Sequence, residues 1–164
     1  MISIRLATDD EGQAILHLLK QIARWMKEHQ IKQWQYLLEG GDDIEILQGV
    51  EKGETYVVFK EEELIGTFTI SLSQSEWDVH IFGSDSLNNS LYLHRLAICP
   101  SYMGQGLGTR LLEWIQTTYH NEKDWLKLDC VATNKKLVSF YKDNGFEEIG
   151  EKDGHTKFKK SLRE

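Results

Sequence analysis

One stretch constrains the fold more than any other: Pro100-Ser101-Tyr102-Met103-Gly104-Gln105-Gly106-Leu107-Gly108-Thr109, with three alternating glycines. It stands between an apolar run, Leu91 to Ile98, that reads as a strand, and Leu107, Leu111, Trp114, Ile115 and Thr118, which recur at helical spacing. Glycine has no Cβ and reaches positive φ at little cost. Successive N–H groups of such a loop can therefore converge on one anion, where the dipole of the following helix favours negative charge. This geometry suits a pyrophosphate.

Several readings of the loop compete. A Walker A loop needs a lysine before its Ser or Thr, and none precedes Thr109. A dinucleotide fingerprint needs G-x-G-x-x-G, but the third glycine position counted from Gly104 is Thr109 and from Gly106 is Leu111. Asp129, about twenty residues on at the end of a strand, is the one feature that keeps this reading open. A glycine-rich turn with no ligand stays open as well.

Elements on either side of the loop follow from periodicity. Ile2 to Ala7 alternates as a half-buried strand does. Thr8 and Glu11 have the spacing of a capping box ahead of Ile15, Leu18, Leu19, Ile22, Trp25 and Met26. Asp42 and Glu45 repeat that signal before Ile44, Leu47 and Val50, predicting a short helix that stops near Gly49 to Gly53. Thr55 to Lys60 and Leu64 to Leu72 read as a hairpin around the Glu61 to Glu63 turn. Gln74 to Ser90 is polar with scattered aromatics and matches no period, with Asn88-Asn89-Ser90 as a turn signal. After the glycine loop come a strand from Trp125 to Val131, a helix from Lys135 to Asn144 with Gly145 as its C-cap, and two last strands, Phe146 to Ile149 and Thr156 to Lys160. The centre is a βαβ unit inside a mostly antiparallel mixed sheet with helices on both faces, an α/β (α+β) architecture. No repeat or linker divides residues 1 to 164, so a single domain is expected.

Composition excludes partners. Lys and Arg number 19 against 26 Asp and Glu, a formal charge of −7, whereas nucleic acid and anionic membranes demand a basic footprint. No apolar run has the length of a membrane span, and the first ten residues lack a signal-peptide layout, so a cytoplasmic protein is expected. Cys99 and Cys130 lie in apolar runs and read as reduced packing residues. The histidines show no metal-ligand spacing, and no metal is expected.

These residues together resemble the GCN5-related N-acetyltransferase (GNAT) superfamily. Leu96-Ala97-Ile98-Cys99-Pro100 followed by Met103-Gly104-Gln105-Gly106-Leu107-Gly108 is similar to its acetyl-coenzyme A signature, with Met103 where Arg or Gln is usual. Asn134, Phe140-Tyr141 and Asn144-Gly145-Phe146 resemble its second motif. The resemblance covers nearly the whole chain. It implies a splayed parallel strand pair that admits the pantetheine arm. Backbone groups of Leu96, Ala97 and Ile98 would bond that arm as an added strand, amides from Met103 and Gly104 through Gln105, Gly106, Leu107 and Gly108 to Thr109 would hold the pyrophosphate, and Asn134 would steady the arm.

The implied reaction is attack of an amine on the acetyl thioester. Tyr141 matches the family's tyrosine acid for the departing thiolate, and a core aromatic is the other reading. For the base, relatives often carry Glu near the position of Tyr92; His94, two residues along the same strand face, is the candidate here, with Asp129 and Asp78 behind it and a structural histidine as the other reading. A Cys130-linked acyl intermediate is the mechanistic alternative. Trp25, Trp34, Tyr36 and Trp77 are either an aromatic wall for the acceptor or core. A small-molecule amine is the expected acceptor, for a monomer or homodimer. An acyl-coenzyme A-binding regulatory module and a protein or peptide N-acetyltransferase remain the alternatives.

Overall fold

Alternation of branched and polar side chains makes the strands, and apolar stripes at helical spacing make the helices. The computed structural model describes residues 1–31 and 33–163. In chain order they form β1 (Ile2–Leu6), α1 (Gly12–Glu28), α2 (Asp43–Glu51), β2 (Thr55–Lys60), β3 (Glu63–Ser71), α3 (Glu76–Phe82), β4 (Ser90–Ile98), α4 (Leu107–Thr118), β5 (Trp125–Val131), α5 (Lys135–Asp143), β6 (Glu147–Lys152) and β7 (His155–Ser161). The seven strands hydrogen-bond in the order β1-β2-β3-β4-β5-β7-β6. The ladders β1–β2, β2–β3, β5–β7 and β6–β7 are antiparallel, and β4–β5 is parallel, the expected mixed sheet with a central βαβ unit.

Contacts divide the chain into two compact units, residues 1–70 with 95–107, and residues 71–94 with the chain from Gly108 onward. In the first, α1 buries Ile15, Leu18, Leu19 and Ile22 as its spacing requires, while Trp25 is only half-buried and stacks on His29 at 4.1 Å between ring centroids. The Thr8 N–H donates to Glu11 Oε1 at 2.8 Å, one half of the expected capping box. Arg5 donates to both oxygens of the same carboxylate, which holds Glu11 down at about 2.

Two expectations need correction. α2 turns Ile46 and Val50 inward and leaves Ile44 72% exposed, so its apolar stripe is displaced from the one inferred, and the Asp42 side chain makes no cap. The stretch from Gln74 to Ser90, which matched no period, contains α3. Its start is a capping box: the Asp78 N–H donates to Ser75 Oγ at 3.2 Å and the Ser75 N–H to Asp78 Oδ2 at 3.0 Å. At seven residues it is too short for a stripe to be legible.

The second unit is built on β5, whose alternation buries Leu126, Leu128 and Cys130 on one side and turns Lys127 and Asp129 to the other. Tyr141, Phe146 and Phe158 pack together, with ring centroids 5.6 and 5.7 Å from Tyr141. Cys99 and Cys130 are both buried thiols, as expected. No helix among the described residues is long and apolar enough to cross a membrane.

In the first unit Gly66 sits where a Cβ would meet the Ala97 carbonyl oxygen at 2.9 Å. The obstacle is backbone and cannot swing aside. Gly66→Ala is expected to cost about 1–3 kcal/mol of unfolding free energy, read as a lower urea midpoint at unchanged slope; an unchanged midpoint would mean that the contact relaxes without cost.

Candidate active site

The parallel pair that should admit a ligand is short. β4 and β5 pair only through Ser90↔Trp125, Leu91↔Leu126 and Tyr92↔Lys127, although both strands continue. Two residues beyond the last rung come His94 on β4 and Asp129 on β5, on the same face of their strands as Tyr92 and Lys127. Further along β4, Arg95 has φ +52°, a left-handed conformation that costs a non-glycine residue about 1–2 kcal/mol. A strand cannot keep its alternation through such a residue. The Arg95 guanidinium lies 3.9 Å from Asp42 Oδ2, both groups mostly buried.

Helix α3 brings carboxylate, imidazole and indole groups to this face of the second unit. Its Asp78 is fully buried, and Oδ2 faces His94 Nε2 at 3.1 Å while Oδ1 has no hydrogen-bond partner. Trp77 donates its indole N–H to both oxygens of Asp129, at 3.1 and 3.3 Å. His155 Nδ1 from β7 lies 3.0 Å from Asp129 Oδ2, outside hydrogen-bonding alignment. Lys157 donates to the Ile81 carbonyl at 3.2 Å and fastens the end of α3 to β7. His80 also pairs with Asp153 on the exposed side.

Burial sets the titration of these groups. It raises the Asp129 carboxyl above its ordinary value, opposed by the Trp77 hydrogen bond and by His155 and His94. Burial lifts Tyr92 to about 12 and Cys130 to about 12, so both keep their protons at neutral pH. Tyr141 is pushed up further, first by burial and then by the charges of Cys130 and Asp129. Among the described residues no three His, Cys, Asp or Glu side chains gather as a metal site.

In the glycine loop, Gly104 and Gly106 take φ of +78° and +76°, and nothing lies within 4 Å of where a Cβ would stand on either. α4 begins at Leu107, so the N–H groups of Leu107, Gly108, Thr109 and Arg110 have no partner inside their helix. In the same unit, Arg24 and Trp25 of α1 line a cleft of about 380 Å³ with Cys99, Pro100 and Ser101, which brings a cation close to the start of the loop. Asn134 caps α5, its side chain accepting from the Leu137 N–H at 3.2 Å. Gly145, at φ +87°, ends that helix as expected.

Residues 51–148 match the family model described as an acetyltransferase (GNAT) domain. The chain belongs to the GNAT acetyltransferase family. It is 39% identical over 158 residues to YesJ, an uncharacterized N-acetyltransferase of Bacillus subtilis, covering 95% of this chain and 88% of that one. A GNAT acetyltransferase of Listeria monocytogenes shares the fold at TM-score 0.85 and 27% identity, with 98% and 94% of the two chains covered. The PaiA N-acetyltransferase of Thermoplasma acidophilum, solved with coenzyme A, matches at TM-score 0.75 and 18% identity over 98% and 99% of the chains. This GNAT chain is thus an acyltransferase with the expected fold.

The second unit gathers His94 with Asp78, and Asp129 with Trp77. Sequence reading ranked His94 first and missed the indole contact, whose only trace was the Ser75-x-x-Asp78 capping signal. Asp78→Ala removes the acceptor of both His94 and the Ser75 N–H, and is expected to cost about 1.5–3 kcal/mol with lost hydrogen-exchange protection in α3. Full protection at unchanged stability would show that other contacts hold the helix.

Proposed function

We propose that this chain transfers the acetyl group of acetyl-coenzyme A to a primary amine of a small molecule, by direct attack in a ternary complex, acting as one acetyltransferase domain. The observation that carries this reading is the early end of the β4–β5 ladder, which leaves strand edges past Tyr92 and Lys127 to pair with an extended ligand.

The glycine loop fits a polyanion. Both positive-φ glycines face open space, and the N–H groups that open α4 need acceptors, so Met103 to Thr109 would hold the pyrophosphate through backbone donors. Leu96, Ala97 and Ile98 would offer backbone groups to the pantetheine amides, and Asn134 stands at the start of the helix that carries Tyr141. When bound, acetyl-coenzyme A supplies an acetyl thioester open to amine attack.

Tyr141 has the properties of a thiolate partner. Its raised pKa keeps the hydroxyl protonated, so it can donate a hydrogen bond to a sulfur leaving with negative charge. Cys130 has the opposite property for a nucleophile: held at about 12, it stays a thiol, which argues against an acyl-cysteine route. His94 with Asp78 and Asp129 with Trp77 are the groups on this face able to take the amine's proton. An indole beside a buried carboxylate suits a cationic amine.

Tyr141→Phe is expected to lower turnover about 10²-fold or more while acetyl-coenzyme A affinity, measured by calorimetry, stays nearly constant; an equal loss in both would assign Tyr141 to packing. Tight cofactor binding without thiol release on any amine or peptide would favour the regulatory module instead. Because Cys99 to Thr109 contains no cation and backbone donors dominate, cofactor affinity should change less than about threefold between low and physiological salt. A steep loss would mean that side chains such as Arg24 and Arg110 hold the phosphates.

A further inference from the structure

An alkylamine has a pKa of about 10 and reaches the site protonated. Some group must take its first proton. Tyr92, at the last β4–β5 rung, is fully buried and keeps its phenolic proton. His94 stands next on the strand, but its Nε2 is committed to Asp78, the same carboxylate that caps α3 through the Ser75 N–H. Those contacts make His94 part of what positions α3, and with it Trp77.

Asp129 is different. It occupies the first same-face position on β5 beyond the last rung, and its side chain is only 7% exposed. The hydrogen bonds it receives come from the neutral indole of Trp77, which is itself 41% exposed and so gives the carboxylate a wall open to solvent. The fixed cation opposite it in register, Lys157, sends its ammonium to the Ile81 carbonyl instead. His155 Nδ1 lies 3.0 Å from Oδ2 but makes no hydrogen bond to it, so the buried carboxylate, with its neighbouring lysine turned elsewhere, keeps lone pairs for an incoming ammonium.

We propose that Asp129 is the catalytic carboxylate that receives the acceptor's ammonium group and takes its first proton, with Trp77 as the wall beside the amine. The inference rests on the acetyltransferase reading above. One proton passes from the ammonium to Asp129 Oδ. The nitrogen lone pair then forms the C–N bond to the acetyl carbon as the C–S bond breaks. The sulfur leaves with the bonding pair and gains the second nitrogen proton by way of the Tyr141 hydroxyl. Asp129 returns the first proton to water. The products are the amide and the free thiol.

The test compares nucleophiles that do and do not need a base. 1,4-Diaminobutane, L-lysine and kanamycin are offered as acceptors protonated at neutral pH, and hydroxylamine as one already neutral, with thiol release followed for wild type, Asp129→Asn, Asp129→Glu and His94→Gln. Asp129→Asn should slow transfer to the best alkylamine about 10²-fold or more and transfer to hydroxylamine less than about tenfold. Asp129→Glu should restore part of the loss. Acetyl-coenzyme A affinity by calorimetry and the melting temperature report whether the asparagine variant is folded, and amine binding in the presence of coenzyme A should weaken with it. Equal slowing of both nucleophiles, no slowing of either, or a base-dependent loss that appears in His94→Gln instead would overturn the assignment to Asp129. Wild-type protein that releases no thiol with any of these amines would overturn the small-molecule acceptor reading on which the inference rests.

Discussion

Three rungs of parallel pairing, and no fourth, set what the second unit can do. A parallel ladder normally satisfies every backbone group along its length. Past Tyr92 and Lys127 the two strands continue without a further rung between them, and alternate side chains turn to a common face. His94 and Asp129 occupy those positions. The left-handed Arg95 follows on β4, its guanidinium 3.9 Å from Asp42 Oδ2.

Charge is distributed to match. The chain is acidic, yet the glycine loop offers backbone N–H groups, which in the proposed reading would hold the pyrophosphate whatever the net charge. Two buried carboxylates lie on this face: Asp78 faces the His94 imidazole and caps α3, while Asp129 accepts from the Trp77 indole and lies 3.0 Å from His155 Nδ1. Like charges brought near one another in a protein interior raise one another's pKa, and Asp78 contributes in that direction to Asp129. Two chemically identical side chains thereby stand in separate surroundings, one holding α3 and one, in the proposal above, facing the acceptor.

Much of this was legible in the sequence because long-period signals are robust. The alternation in Trp125 to Val131, the stripe of α1 and the glycine loop each specify an element without help from tertiary contacts. What escaped was short or non-local. α3 is held by a capping box and by contacts from β4, β5 and β7, none of which leaves a hydrophobic period in seven residues. The stripe of α2 was displaced because the core selected Ile46 over Ile44. Asp129 looked like an ordinary strand-end carboxylate, since neither its burial nor the Trp77 contact, 52 residues away in sequence, has a local signature. The left-handed turn at Arg95 carries no glycine to announce it.

The proposal turns on acetyl transfer past the last β4–β5 rung, beside Tyr141 and Asp129 of the second unit. A crystal structure of the coenzyme A complex tests it most directly. The cofactor sulfur is expected within about 3.5 Å of the Tyr141 hydroxyl, with Asp129 facing the same space and the pyrophosphate on the N–H groups of Gly104 to Thr109. A sulfur remote from Tyr141 and Asp129, or a pyrophosphate held by lysine and arginine side chains alone, would contradict it.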